Sequence, residues 1–97
     1  MNLFEYEIPK EDEIFTTLFE KKDIKIVRIV SSSNIKTKEF IQNEDEVVFL
    51  LEGEATLEIE GKKKVLKKGE MLYIPANTFH KLLDVSNGAL WLAIHFD

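Results

Sequence analysis

Apolar and polar residues alternate with a period of two along most of the chain, and this spacing places every second side chain on one face of a β-strand. Residues 24–30 show the pattern clearly, with β-branched residues at most positions. Turn-forming residues separate the shorter segments that follow. We place the later strands at about 35–42, 46–52, 55–60, 63–67, 71–74, 79–85 and 89–96. Short strands at this spacing predict an all-β fold, an antiparallel β-barrel or jelly roll.

Residues 1–23 give a less regular pattern. Pro9 precedes an acidic stretch that ends at Glu13, an order that helix N-termini favour, so we expect at most a short helical turn there. Residues 14–20 fit both helical and strand spacing. We favour a strand, because the polar turn over 20–23 would join it to the next strand as a hairpin.

The strongest turn signal is Asn87-Gly88, which stands between two apolar alternating segments. Both residue types tolerate positive φ, so the pair suits the tight turn of a β-hairpin. We therefore predict that 79–85 and 89–96 pair as a hairpin.

Size and charge restrict the classes of partner. The chain has 97 residues, which corresponds to a single domain, 1–97. It carries 13 Lys and Arg against 18 Asp and Glu, a net charge of −5. Such an acidic surface repels nucleic-acid phosphates and anionic lipid, so we expect no nucleic acid and no membrane as partners. No cysteine is present, which excludes disulfides, thiolate zinc sites and cysteine nucleophiles.

The expected location follows from the apolar segments. No apolar run approaches the roughly 20 residues that a membrane helix needs. The opening segment lacks the basic start and the apolar stretch of a signal peptide. We therefore expect a cytoplasmic protein.

A spaced motif occupies the region from about 69 to 84. Gly69 is followed after five residues by Pro75, and Asn77, His80 and Asp84 come next. This order resembles the second motif of the cupin superfamily, in which glycine stands at the position of Asn77 and asparagine at that of Asp84. Asparagine tolerates a left-handed backbone better than most residues, so the turn of the motif remains available here.

Half of the first cupin motif is present in the region from about 34 to 53. Glu46 and Gly53 stand six residues apart, as they do in the motif. Phe40 and Gln42 occupy the positions of its two histidines. The two motifs together imply a cupin barrel, and further segments resemble a group of small single-domain bacterial cupins without an established activity.

The resemblance implies a pocket inside the barrel where Gln42, Glu46 and His80 meet, with Phe40 as an apolar wall. In metal-bearing cupins the matching positions hold a divalent ion. Imidazole and carboxylate are good ligands for Zn, Ni, Mn or Fe, whereas an amide oxygen is a weaker ligand and a phenyl ring cannot coordinate. We therefore expect no tightly held cofactor, and at most a weakly bound divalent metal at Gln42, Glu46 and His80.

His95 is the second histidine of the chain and a further candidate for the pocket. It shares a strand face with Trp91 and Ala93, and Leu92 and Ile94 occupy the opposite face. Both faces are compatible with burial, so the pattern leaves open which of them lines the barrel. An inward His95 would restore a second imidazole to the metal set.

These residues support interpretations from different classes. The depleted set of histidines favours a small-molecule-binding protein of unknown ligand over redox catalysis, which needs a firmly held metal. The alternative is a metal-dependent enzyme of isomerase or dioxygenase type that uses Gln42, Glu46, His80 and His95. A metal-free enzyme with Glu46 and His80 as acid and base is a third interpretation.

The predicted strands 47–51 and 90–96 are apolar on both faces. One small barrel interior cannot absorb all of these side chains, so one face is left to pack against another surface. We therefore expect a homodimer, which the resemblance to small cupins also implies.

Overall fold

The computed structural model describes residues 1–36 and 39–97, and every regular element within them is a β-strand. The strands are β1 (Glu13–Lys21), β2 (Ile24–Ser31), β3 (Glu39–Phe40), β4 (Asp45–Glu52), β5 (Glu54–Ile59), β6 (Lys62–Lys67), β7 (Met71–Ile74), β8 (His80–Val85) and β9 (Ala89–Phe96). The expected all-β fold is confirmed. The described ranges contain no helix long and apolar enough to cross a membrane.

The strands form two antiparallel sheets, and the chain repeatedly crosses from one to the other. Sheet 1 has five strands in the order β1-β2-β9-β4-β7, and sheet 2 has four in the order β3-β8-β5-β6. Their inner faces pack together, which gives the jelly-roll sandwich that the strand spacing predicted. The buried core takes side chains from both sheets: Val27, Val48, Leu50, Ala55, Leu57, Leu66, Ile74, Val85, Ala89, Trp91 and Ala93.

Two hairpins join strands within a sheet. β1 and β2 are joined by a turn at 22–23, which confirms the predicted hairpin at that place. β5 and β6 are joined at Glu60-Gly61, where φ is 47° and 81°. Positive φ at both central positions matches the twist of the two strands, so this pair makes the tight turn of the second hairpin.

The predicted hairpin at Asn87-Gly88 is wrong. β8 belongs to sheet 2 and β9 to sheet 1, so this turn carries the chain between the sheets. β9 pairs instead with β2 on one side and β4 on the other. The backbone N–H of Gly88 donates to the carbonyl of Ser31 at 2.8 Å, which fixes the turn against the end of β2.

The predicted strand over 35–42 is shorter in the structure. Its regular part is β3, and positions 37 and 38 lie outside the described residues. Gln42 lies beyond the strand, because its carbonyl accepts from the backbone N–H of Asn77 at 2.7 Å and not from a neighbouring strand.

The helical turn allowed near Pro9 does not form. Residues 10–12 bend, and β1 begins directly after them. Ser32 N–H donates to the carbonyl of Asp12 at 2.9 Å, so the bend is held by the end of β2. The segment before it lies over the outer face of sheet 1, where Arg28 donates to the carbonyl of Glu5 at 3.1 Å.

Candidate functional site

A cavity of about 120 Å³ opens between the two sheets, where β4 and β8 begin and β9 ends. Its walls are mostly apolar and include three aromatic rings. The apolar lining residues are Phe15, Ile29, Phe40, Val48, Leu57, Ile74, Leu82 and Trp91. The polar lining residues are Glu13, Gln42, Glu46, His80 and His95. The structure therefore brings all five predicted pocket residues to one cavity, and their part in binding a ligand stays a prediction.

Glu46 is the centre of the polar group. It is the first inward side chain of β4 and only 6% exposed. Gln42 Nε2 donates to its Oε1 at 2.9 Å. His80 Nε2 lies 3.9 Å from the same oxygen, and His95 Nε2 lies 3.7 Å from Oε2. Three polar side chains from three parts of the chain thus surround one buried carboxylate.

His80 is held in one orientation by the backbone and by an aromatic neighbour. Its Nδ1 lies 3.0 Å from the carbonyl oxygen of Thr78. Since a carbonyl can only accept, Nδ1 carries a hydrogen, and Nε2 has a lone pair whenever the ring is neutral. Phe40 stacks on the ring with 5.9 Å between centroids. His80 therefore turns Nε2 to the cavity, and in the neutral ring this atom is a hydrogen-bond acceptor.

The structure shows which face of β9 points inward. Trp91 and Ala93 are buried in the core, and His95 on the same face lines the cavity. Among the described residues, buried Nδ1 of His95 has no hydrogen-bond partner. The Oε1 atom of Glu44 lies 3.5 Å away, which brings a second carboxylate close to this ring. His95 therefore lies on the inward face of β9 and lines the cavity, which is one of the two alternatives that the sequence pattern left open.

The loop before β8 positions both Gln42 and the start of β4. Asn77 has a φ of 60°, so it adopts the left-handed turn that the motif requires. Asp45 Oδ1 accepts from the backbone N–H of Ala76 and from the Tyr73 hydroxyl, both at 2.9 Å. The hydrogen bond to Asp45 raises the pKa of Tyr73 above its ordinary value. These contacts connect the two motif regions at the edge of the cavity.

Glu13 is a cavity residue that the sequence analysis missed. Its Oε2 accepts from the Ser31 hydroxyl at 2.5 Å, and Ser31 Oγ accepts from Trp91 Nε1 at 3.0 Å. Burial raises the pKa of Glu13, and the negative charges of Asp12 and Glu46 add to this effect, while the hydrogen bond from Ser31 lowers it. The alternation of β1 could have placed Glu13 and Phe15 on one face, but the pairing with Ser31 depends on a contact between distant parts of the chain.

A divalent metal needs several donor atoms that converge on one point. Here His80 approaches one oxygen of Glu46 and His95 approaches the other. The amide nitrogen of Gln42 donates to Glu46, so this group is turned as a donor and not as a metal ligand. Within the ranges 1–36 and 39–97, no three His, Asp or Glu side chains form a group that could hold a metal.

The arrangement offers hydrogen bonding and proton exchange in an apolar enclosure. Glu46 and Nε2 of His80 can accept a hydrogen bond or a proton from a bound molecule. The apolar walls lower the local dielectric around these groups, which strengthens each of these interactions. The site is suited to binding a small molecule with polar groups at one end.

Comparisons with known proteins agree with this architecture. The family model described as "Cupin domain" matches residues 36–95. A crystal structure from Ralstonia eutropha, provisionally described as a mannose-6-phosphate isomerase, is similar with a TM-score of 0.88 and 31% sequence identity. The alignment covers 100% of this chain and 96% of that chain.

More distant relatives share the fold. KdgF from a Halomonas species has a TM-score of 0.80 at 15% identity, over 95% of this chain and 86% of that chain. An RmlC-like cupin from Shewanella frigidimarina has a TM-score of 0.78 at 18% identity, over 99% and 91%. An uncharacterized protein of Methanocaldococcus jannaschii is 35% identical over 43 residues, which is 44% of this chain and 34% of that protein. The match therefore spans about a third of that relative.

Proposed function

The chain belongs to the cupin family, and we propose that it binds a small organic molecule in the cavity between its two sheets. The observation that carries this proposal is the convergence of five polar side chains on a cavity whose other walls are apolar. Small-molecule sites in proteins have this composition. The cavity has a volume of about 120 Å³. The ligand is therefore small, or it places a small polar head in the cavity.

The polar side chains have complementary roles in this proposal. Glu46 and Nε2 of His80 accept hydrogen bonds from the ligand, and Gln42 holds the Glu46 carboxylate in place. Phe40 fixes the ring of His80 and covers the apolar part of the ligand. His95 supplies a second ring beside the same carboxylate.

The test uses Trp91, which is the single tryptophan of the chain and lines the cavity. We expect a compound bound in the cavity to change the emission of Trp91. Small neutral, cationic and anionic organic molecules are titrated, and the emission is recorded for the wild type and two variants. Leu82→Phe fills the cavity from its wall, whereas Leu83→Phe makes the same change at the neighbouring position outside the cavity.

The variants decide whether a ligand occupies the cavity. We expect Leu82→Phe to weaken binding about tenfold or more, since the added ring takes space that the ligand needs. Leu83→Phe should bind as the wild type does. Equal binding by both variants, with both folded by circular dichroism, would place the ligand elsewhere and reject the proposal.

A second candidate function is a metal-dependent enzyme of isomerase or dioxygenase type. Its support is the similarity to the Ralstonia protein and the inward position of His95. Elemental analysis of protein purified without added metal is the first measurement, and we expect far less than one ion per chain, because Phe40 cannot coordinate and Gln42 points its nitrogen at Glu46.

Activity provides the second measurement for this candidate. Isomerisation of mannose 6-phosphate is assayed with added Zn, Ni, Mn or Fe, and we expect none above background. Stoichiometric metal together with turnover would establish the enzyme instead. His95→Ala and Gln42→Ala would then identify which side chain completes the metal site.

A further inference from the structure

The cavity contains many hydrogen-bond acceptors, and its N–H donors, from Gln42, His80 and His95, lie against Glu46 or the backbone. Glu13 and Glu46 present carboxyl groups to it, and the neutral ring of His80 presents the lone pair of Nε2. The amide of Gln42 already donates to Glu46. Among the lining residues in the described part of the chain there is no Lys or Arg. The complementary ligand is therefore a hydrogen-bond donor, and an anion such as a phosphate ester finds no Lys or Arg among the described lining residues.

Glu13 is fixed in the cavity wall by a chain of hydrogen bonds. Trp91 donates to Ser31, and Ser31 donates to Oε2 of Glu13. Because these hydrogen bonds come from residues of β2 and β9, the carboxyl group of Glu13 keeps one orientation. Burial raises the pKa of Glu13, which means that the folded protein solvates the ionised carboxylate poorly. A bound cation would offset this desolvation cost.

The aromatic walls suit a cation as well. Phe15, Phe40 and Trp91 line the same cavity as the two carboxylates. Aromatic faces attract an ammonium group through their quadrupole, most strongly where water is excluded. An ammonium group carries three N–H donors, and Glu13, Glu46 and His80 provide three acceptors.

We propose that Glu13 is a further ligand-binding residue and that the cavity takes a small primary amine, whose ammonium group is bound by Glu13 and Glu46. This inference rests on the proposed function, because it names the ligand class for the same cavity. The cavity volume of about 120 Å³ suits an amine with a short carbon chain.

The test compares three probes of nearly equal size and different charge. n-Propylammonium, 1-propanol and propionate are titrated separately at neutral pH and equal ionic strength, and the emission of Trp91 reports binding. We expect propylammonium to bind about tenfold or more tightly than 1-propanol, since a charge-assisted hydrogen bond is worth that difference. Propionate should not bind.

Glu13→Gln identifies the residue that selects the cation. Glutamine keeps the size of the side chain and an oxygen that accepts from Ser31, but it removes the charge. We expect the affinity for propylammonium to fall about tenfold, while the affinity for 1-propanol is unchanged. Glu11→Gln makes the same change at an exposed neighbouring position and should bind both probes as the wild type does.

Several outcomes would overturn this inference. Binding of propionate or 1-propanol as tightly as propylammonium would remove the preference for a cation, and unchanged binding by Glu13→Gln would remove the role of Glu13. A failure of all three probes to affect Trp91 would also reject the amine. If a neutral or anionic compound binds and Leu82→Phe blocks it, the amine is wrong while the proposed small-molecule function stands.

Discussion

The two ends of the space between the sheets differ, although the same strands build both. Along β4 the inward side chains run from Glu46 at one end to Leu50 at the other, and along β9 they run from Ala89 to His95. Leu50 and Ala89 are 0% exposed in a tightly packed core. The other end carries the charged and polar groups and leaves a cavity. Strand alternation sets which side chains point inward, and the residue types along that face decide which end is packed and which is open to a ligand.

The packed end should carry most of the stability. We expect Leu50→Ala to lower the free energy of unfolding by about 2–5 kcal/mol, because it removes buried methyl groups and leaves a cavity. Urea denaturation followed by Trp91 emission measures this change. Val65→Ala is the control, since Val65 is 60% exposed on the outer side of β6, and it should stay within about 1 kcal/mol of the wild type.

A loss below about 1 kcal/mol in Leu50→Ala would contradict the comparison. It would mean that the core relaxes around the missing side chain, so that this end is no more tightly packed than the cavity end.

The strands of sheet 1 also have an outer face, which points away from sheet 2 and the cavity. Val47 pairs with Ile94 and Tyr73, and Phe49 pairs with Leu92 and with a methionine of β7, so apolar side chains form a continuous surface there. A surface of this kind on a chain this small is suited to self-association about a two-fold axis. We propose that two copies pack through this face.

Light scattering tests the homodimer. We expect a mass near twice 11.3 kDa for the wild type. Met71 is 53% exposed on this outer face, so Met71→Lys should leave the chain folded while it weakens the dimer about tenfold or more. Val65→Lys places the same charge on exposed β6 of sheet 2 and should leave the mass unchanged. A wild-type mass near 11.3 kDa would reject the dimer.

Local patterns in the sequence predicted much of this fold. The alternation placed Glu46 and Leu50 on one face, and the structure confirms that both point inward. The motif spacing indicated that a left-handed turn is available at Asn77, and the structure has that turn. Both features depend on residues close together in the chain, where steric preference and strand parity determine the result.

Contacts between distant segments were harder to predict. Asn87-Gly88 has the composition of a hairpin turn, yet the next strand pairs in the other sheet, where β2 and β4 cover both of its edges. The local pattern around Glu13 indicates only an acid that favours a helix N-terminus, because its partner Ser31 is 18 residues away. The direction of the His95 side chain depends on the strands that lie on either side of β9, which are β2 and β4. Sheet membership is a property of the whole fold and has no local signal.

The smallest expected effect concerns the pH dependence of stability at the cavity end. The pKa of Glu13 is raised from its ordinary value of 4.5, mainly by burial, so the folded state binds this proton more tightly than the unfolded state does. The stability that Glu13 contributes is therefore fully present below about pH 4.5 and is lost as the pH rises through the raised pKa. Glu13→Gln has no such proton, so the free energy of unfolding of the wild type minus that of the variant should fall as the pH rises.

Urea denaturation at a series of pH values from 4 to 8 measures this difference, and subtraction removes the titration of all groups that the two proteins share. Glu11→Gln is the control, because the side chain of Glu11 is exposed and this variant therefore removes no buried carboxyl group. A difference for Glu13→Gln that rises with pH would mean that the folded protein stabilises the carboxylate of Glu13. In that case a positive partner would already be present in the free protein, and the cavity would have no charge left for an amine to balance.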